Sequence, residues 1–231
     1  MSHIAENVRR LRAEIEEAAI KAGRSPQDVK MMAVTKTQPP ELVNQAIAAG
    51  ITLLGENRAQ ELCEKYGLYD RGGEVEIHFI GHLQTNKVKM VLDKVSTVQS
   101  VGSLKLAGEI SKQAVKLGAT TDLLLEVNVG GEESKGGVEP RMAENLAREI
   151  AGLPGIRLRG LMAIPPIWNK SAENERFFAQ MQEMLVDIRD KNIDNISMEI
   201  LSMGMSGDFE TAIKHGATLV RLGTALFGHR Q

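Results

Sequence analysis

The stretch Met31-Met32-Ala33-Val34-Thr35-Lys36-Thr37-Gln38-Pro39-Pro40-Glu41-Leu42-Val43-Asn44-Gln45-Ala46-Ile47-Ala48-Ala49-Gly50 reads as strand, loop, helix and stop. Its first four residues form an apolar run short enough for a buried strand, ending at Thr35-Lys36-Thr37. Pro39-Pro40 then opens a helical stretch with Leu42, Val43, Ala46 and Ile47 on one face, and Gly50 sits where a C-cap glycine belongs. Upstream, Ile4, Val8, Leu11, Ile15 and Ala18 alternate at spacings of four and three, which predicts an amphipathic helix ending near Gly23 and packing on the domain. Ser25-Pro26-Gln27-Asp28 has the cap, proline and acid order of a helix start.

Downstream the same unit recurs. Strand 51–54 precedes a helix with Ala59, Leu62, Cys63 and Tyr66 in register, and strand 77–80 precedes one carrying Val88, Val91 and Leu92. Strand 95–101 leads to a helix over 103–117 closed by Gly118, and strand 122–129 to a helix over 140–151 closed by Gly152. Strand 158–164 precedes a long helix over 172–191, strand 197–202 a short helix over 208–215, and strand 218–222 is the eighth.

Eight near-continuously apolar strands alternating with helices imply parallel pairing, because such strands are buried on both faces and parallel crossovers need helices between them. The expected fold is α/β, a single (β/α)8 TIM-type barrel over residues 1–231 with an extra N-terminal helix over 1–23. An open doubly wound sheet is the alternative, but it would want a glycine-rich turn after strand one, where Thr35-Lys36-Thr37-Gln38-Pro39 stands. No stretch rich in Pro, Gly or Ser divides the chain.

The 231 residues are 42% hydrophobic and 25% charged, the balance of a globular chain with a substantial core. Twenty-eight basic against 30 acidic residues leave a net charge of −2, without the positive field that draws proteins to nucleic acid or anionic lipid. Cys63 is the only cysteine, so neither an internal disulfide nor a cysteine zinc cluster is available. No apolar run reaches the roughly 18 residues of a membrane span, and charges from Glu6 to Glu14 interrupt the region a signal peptide would need. A cytoplasmic protein is expected.

In a barrel of this type the chemistry lies just after the strands. Lys36 ends strand one, where a partly apolar space lowers an amine toward neutrality and suits it to a Schiff base; the alternative is a lysine that snorkels to solvent. Ser202-Met203-Gly204-Met205-Ser206-Gly207-Asp208 and Gly223-Thr224 follow strands seven and eight, the two loops with which barrels often bind phosphate; otherwise they are glycine turns with a cap. Arg221 is a permanent cation on an apolar strand and needs a partner, either a ligand atom or an acid such as Glu126 or Glu199. An amine facing a phosphate clamp defines a ligand with an aldehyde and a phosphate, and pyridoxal phosphate fits.

Seven ordered motifs resemble the pyridoxal phosphate homeostasis protein family. They are Ala33-Val34-Thr35-Lys36-Thr37; Gly55-Glu56-Asn57; His78-Phe79-Ile80-Gly81 with Leu83-Gln84-Thr85-Asn86-Lys87; Ser134-Lys135-Gly136-Gly137; Arg159-Gly160-Leu161-Met162-Ala163; Leu201-Ser202-Met203-Gly204-Met205-Ser206; and 221–228. The resemblance runs from about residue 30 to 229 and implies the barrel shared with bacterial alanine racemase. It implies that Lys36 holds pyridoxal phosphate as a Schiff base, that Asn57 sits near the cofactor, that Ser202, Ser206, Gly223 and Thr224 serve its phosphate, and that Arg221 faces the ring nitrogen. Lys135 is a candidate second amine at the same mouth. No metal is expected, and His82 receives no role.

The resemblance implies a binding and homeostasis protein without robust catalysis, with apo-enzymes that use the cofactor as candidate partners. The alternatives are a pyridoxal-phosphate amino-acid racemase and a Schiff-base aldolase of phosphorylated sugars. A racemase needs an acid–base group opposite the lysine, and the only tyrosines, Tyr66 and Tyr69, are expected at the bottom face after the second barrel helix. A monomer is expected, since no aromatic-rich exposed helix suggests an obligate interface.

Overall fold

The computed structural model describes residues 3–70, 72, 74–131, 136–165 and 171–228, with side chains from 173 in the last segment. Eight strands alternate with helices among these residues: β1 Lys30–Val34, β2 Leu53–Glu56, β3 Glu76–Phe79, β4 Thr97–Val101, β5 Thr121–Glu126, β6 Ile156–Met162, β7 Ile196–Met205 and β8 Leu219–Leu222. All neighbours pair in parallel and β8 closes onto β1, giving the expected barrel. The helices are α1 His3–Lys21, α2 Pro40–Ala48, α3 Ala59–Lys65, α4 Val88–Val91, α5 Leu104–Leu117, α6 Ala143–Ala151, α7 Ser171–Asp190, α8 Phe209–Lys214 and α9 Thr224–Phe227. None is long and apolar enough to cross a membrane.

Alternation along each strand sends side chains to two cores. The large one lies between strands and helices and holds Ala33, Leu54, Phe79, Leu125 and Val220; α1 joins it through Ile4, Val8, Leu11, Ile15 and Ala19. The small one fills the barrel with Met32, Leu53, Ile80 and Leu219, flanked by Val34 and Ile200. Helix α5 follows its sequence signals closely: Ser103 accepts from the Leu106 N–H, and Gly118 terminates it in the left-handed conformation at φ 62°.

Some expectations need correction. Pro26–Asp28 forms one 3-10 turn, because strand β1 begins at Lys30 and leaves no room for a helix. Strand β2 starts two residues later than its apolar run, which brings Glu56 inside it. Strand β7 continues three residues past Ser202, and α9 follows β8 as an unforeseen single turn. The barrel is also bulged. In β4, Val98 and Val101 pair with Leu123 and Leu125, so one residue more stands on β4 than on β5.

Candidate functional site

Six of the seven residues expected to hold the cofactor line one cavity of about 250 Å³ at the C-terminal mouth: Lys36, Asn57, Ser206, Arg221, Gly223 and Thr224. Val34, Ile80, Ile164 and Met205 supply apolar walls. The seventh, Ser202, is fully buried beneath the floor, where its hydroxyl meets Gln99 and Arg221. Lys135 lies outside the described residues. His82 is exposed and lines a neighbouring cavity.

Lys36 follows the last inward residue of β1 by two positions, so alternation returns its side chain to the mouth. The backbone around it is braced from α3. Lys65 Nζ donates to the Thr35 carbonyl at 3.2 Å, the Thr37 N–H donates to the Glu61 carboxylate, and Glu61 pairs with Lys65. Thr37 has φ 62°, an uncommon conformation for a β-branched residue, and the Glu61 contact holds it there.

Behind Lys36, Glu56 faces the helices and its Oε1 accepts from the Thr35 hydroxyl at 2.6 Å and from the Tyr69 hydroxyl at 2.5 Å. Burial raises the Glu56 carboxyl above the usual range, and the two hydroxyls pull it partway back. Burial and the neighbouring carboxylate push the Tyr69 phenol up. This corrects the expected position of Tyr69. A 3-10 turn over Tyr66–Leu68 after α3 folds its ring inward, level with the end of β2 but on the helix side of the barrel.

Because the folded Glu56 binds its proton more tightly than the unfolded chain does, its contribution to stability falls as pH rises from the ordinary carboxylate range through its raised value. Tyr69→Phe removes a donor to the ionised form. It should cost about 1 kcal/mol where Glu56 is protonated and about 1.5–3 kcal/mol where it is charged. Urea midpoints of parent and variant across pH test this; a gap that narrows with rising pH would contradict it.

Arg221 is fixed by three hydrogen bonds: Nη1 donates to the Ser202 carbonyl at 2.8 Å and its Oγ at 2.7 Å, and Nη2 to the Ala163 carbonyl at 2.7 Å. Burial lowers the guanidinium to about 10 against the pull of Asp208 and Glu126, so it stays cationic at neutral pH. It makes no ion pair with Glu199, which Arg159 holds instead. The Ser202 hydroxyl, receiving from Arg221, donates to Gln99 Oε1 at 2.7 Å, and Gln99 Nε2 then donates to His78 Nδ1 at 2.8 Å. His78 Nε2 lies 3.4 Å from Glu76. This chain spans the barrel interior and sets the plane of Arg221.

The remaining walls come from two loops. The Ser206 hydroxyl accepts from the Ala225 N–H at 3.1 Å, joining the loop after β7 to the first turn of α9. Asp208 accepts from the Met205 N–H at 2.6 Å. Asn57 Oδ1 is buried and has no hydrogen-bond partner, although Asn57 lines the cavity. A buried acceptor left open at a cavity wall is a place for a ligand donor. The β3 loop lies directly on Asn57: a Cβ at Gly81 would stand 2.1 Å from the Asn57 carbonyl oxygen.

A family model described as "Alanine racemase, N-terminal domain" matches residues 1–231. Relatives named pyridoxal phosphate homeostasis protein include one from Pseudomonas aeruginosa, 44% identical over 100% of this chain and 97% of its own length. Another, from Aquifex aeolicus, is 42% identical over 98% of each chain. The chain belongs to the pyridoxal phosphate homeostasis protein family. Among solved structures, PipY of Synechococcus elongatus with PLP bound is similar at TM-score 0.86 and 31% identity, over 98% of this chain and 100% of that one.

Proposed function

We propose that the whole chain acts as one unit that binds pyridoxal 5′-phosphate at this mouth and takes part in intracellular homeostasis of the cofactor, in the cytoplasm and as a monomer. The supporting observation is the convergence of Lys36, Asn57, Arg221 and the loops bearing Ser206, Gly223 and Thr224 on one cavity. The open acceptor of Asn57 and a guanidinium with three of its five donors committed fit a polar aromatic ligand. The relatives' name and the PLP-bound PipY structure support the same reading.

Bound pyridoxal phosphate supplies an electrophilic aldehyde and an electron-withdrawing ring. Lys36 would take the aldehyde, and Arg221 would donate to the ring nitrogen. A guanidinium that stays charged does not pass a proton to that nitrogen as a carboxylic acid would, so the ring's electron-sink strength stays low. Ser202 acts through Arg221 as a positioning residue, and Ser206, Gly223 and Thr224 serve the phosphate. Neither tyrosine lines the cavity, and Tyr69 is committed to Glu56. Binding without robust turnover follows, with apo-enzymes that use the cofactor as the partners.

Pyridoxal lacking the phosphate should bind far more weakly than pyridoxal phosphate. Each charge-assisted hydrogen bond lost costs about 1.5–3 kcal/mol. Equilibrium dialysis of both compounds measures the difference; equal affinities would remove the phosphate role of the two loops.

A further inference from the structure

A second cavity, about 460 Å³, opens at the same end of the barrel between the loops after β3, β4 and β5. Its wall includes the start of α5, with Ser103, Lys105 and Leu106 lining it. The first-turn N–H groups of a helix have no partner within it, and among the described residues the Ser103 side chain caps Leu106 alone. Lys105 is exposed and forms no ion pair among the described residues.

An independent observation points to a ligand. Ser100 lines this cavity at 4% exposure, and its hydroxyl is buried with no hydrogen-bond partner. The bulge in β4 explains its direction: Gln99 and Ser100 together oppose Leu124, between the outward-packed Val98 and Val101. Gln99 spends its amide on Ser202 and His78, whereas the Ser100 hydroxyl has no such use. A buried hydroxyl left open beside a helix N-terminus and an ammonium makes an anion subsite.

From these residues we infer that the second cavity binds the carboxylate of a small α-amino or α-keto acid. The carboxylate is placed against Ser100, the first turn of α5 and Lys105. Glu126 lines the same cavity, and its carboxyl senses both His82 on this side and Arg221 on the cofactor side. Glu126 stands on the strand beside Ser100, and burial, its largest influence, raises its carboxyl above the usual range, which favours the neutral form next to a bound anion. Naming the amino- and keto-acid class rests on the proposed cofactor in the adjoining cavity; the carboxylate subsite itself does not.

Backbone amide NMR of the full chain tests the inference with pyruvate, L-alanine, ethylamine and inorganic phosphate as probes. Pyruvate and L-alanine should shift the Leu104, Lys105 and Leu106 amides along saturating curves, and ethylamine should not. Ser100→Ala should weaken pyruvate about tenfold with an unfolding midpoint no lower than the parent's, since it removes an unpaired buried hydroxyl. Lys112→Gln, farther along α5, should change nothing. Non-saturating shifts, unaltered affinity in Ser100→Ala, or tighter binding of phosphate than of pyruvate would overturn the subsite. Repeating the titration in Lys36→Ala separates the readings: pyruvate binding there stands whether or not the cofactor is carried by Lys36.

Discussion

Lys36→Ala protein should purify colourless and take up no covalent pyridoxal phosphate, while unfolding at nearly the same urea concentration as the parent. The side chain follows the end of β1 and lines the cavity, so its removal takes away no ladder hydrogen bond and no core contact. The brace behind it is made by Thr35 and Thr37 through backbone atoms and the Thr35 hydroxyl, all of which remain in the variant. Lys36→Arg keeps a cation at the mouth but no amine able to take an aldehyde, so it should be equally colourless. Borohydride reduction of the loaded parent, followed by peptide mass spectrometry, should place the adduct on Lys36. An adduct found mainly on another lysine, Lys135 above all, would sink the assignment.

The order of the barrel was legible because its strands are buried on both faces and its helices carry caps and stripes, so each element announces itself locally. The ends of several strands were not, since a strand stops where its neighbour stops pairing. Ile51 and Thr52 continue an apolar run but precede the ladder, while Gly55 and Glu56 belong to it. Lys36 and Arg221 stood out as charges on apolar strands, and the glycines of the last two loops as close-approach points. What supports them was invisible: Gln99 and His78 are ordinary polar residues in sequence. Their role comes from a hydrogen-bonded chain joining three strands across the barrel interior. The resemblance implies a phosphate role for Ser202; β7 runs on to Met205, so Ser202 lies within the strand and outside the lining of the cofactor cavity.

The other large effect belongs to Gly160. It pairs with Leu124 on β5 and with Ile200 on β7, and the register shifts just before it on both sides. A Cβ there would stand 1.8 Å from the Ile200 carbonyl oxygen, 2.7 Å from its carbon and 2.9 Å from its nitrogen. All three are backbone atoms of a paired strand, so no side chain can rotate away and β6 and β7 must separate. Gly160→Ala should therefore cost at least ~4 kcal/mol, in the range reserved for backbone clashes and core disruption. Because β7 leads directly to Ser202 and Met205, the variant should also lose cofactor affinity, with the Arg221 contacts disturbed at their source. Gly108→Ala is the matching control: inside α5 with nothing within 4 Å of its Cβ, it should gain about 0.5–1 kcal/mol from helix propensity. Urea denaturation of the two variants beside the parent decides the matter. A Gly160→Ala midpoint within about 1 kcal/mol of the parent would mean that β6 and β7 part more easily than their close approach implies.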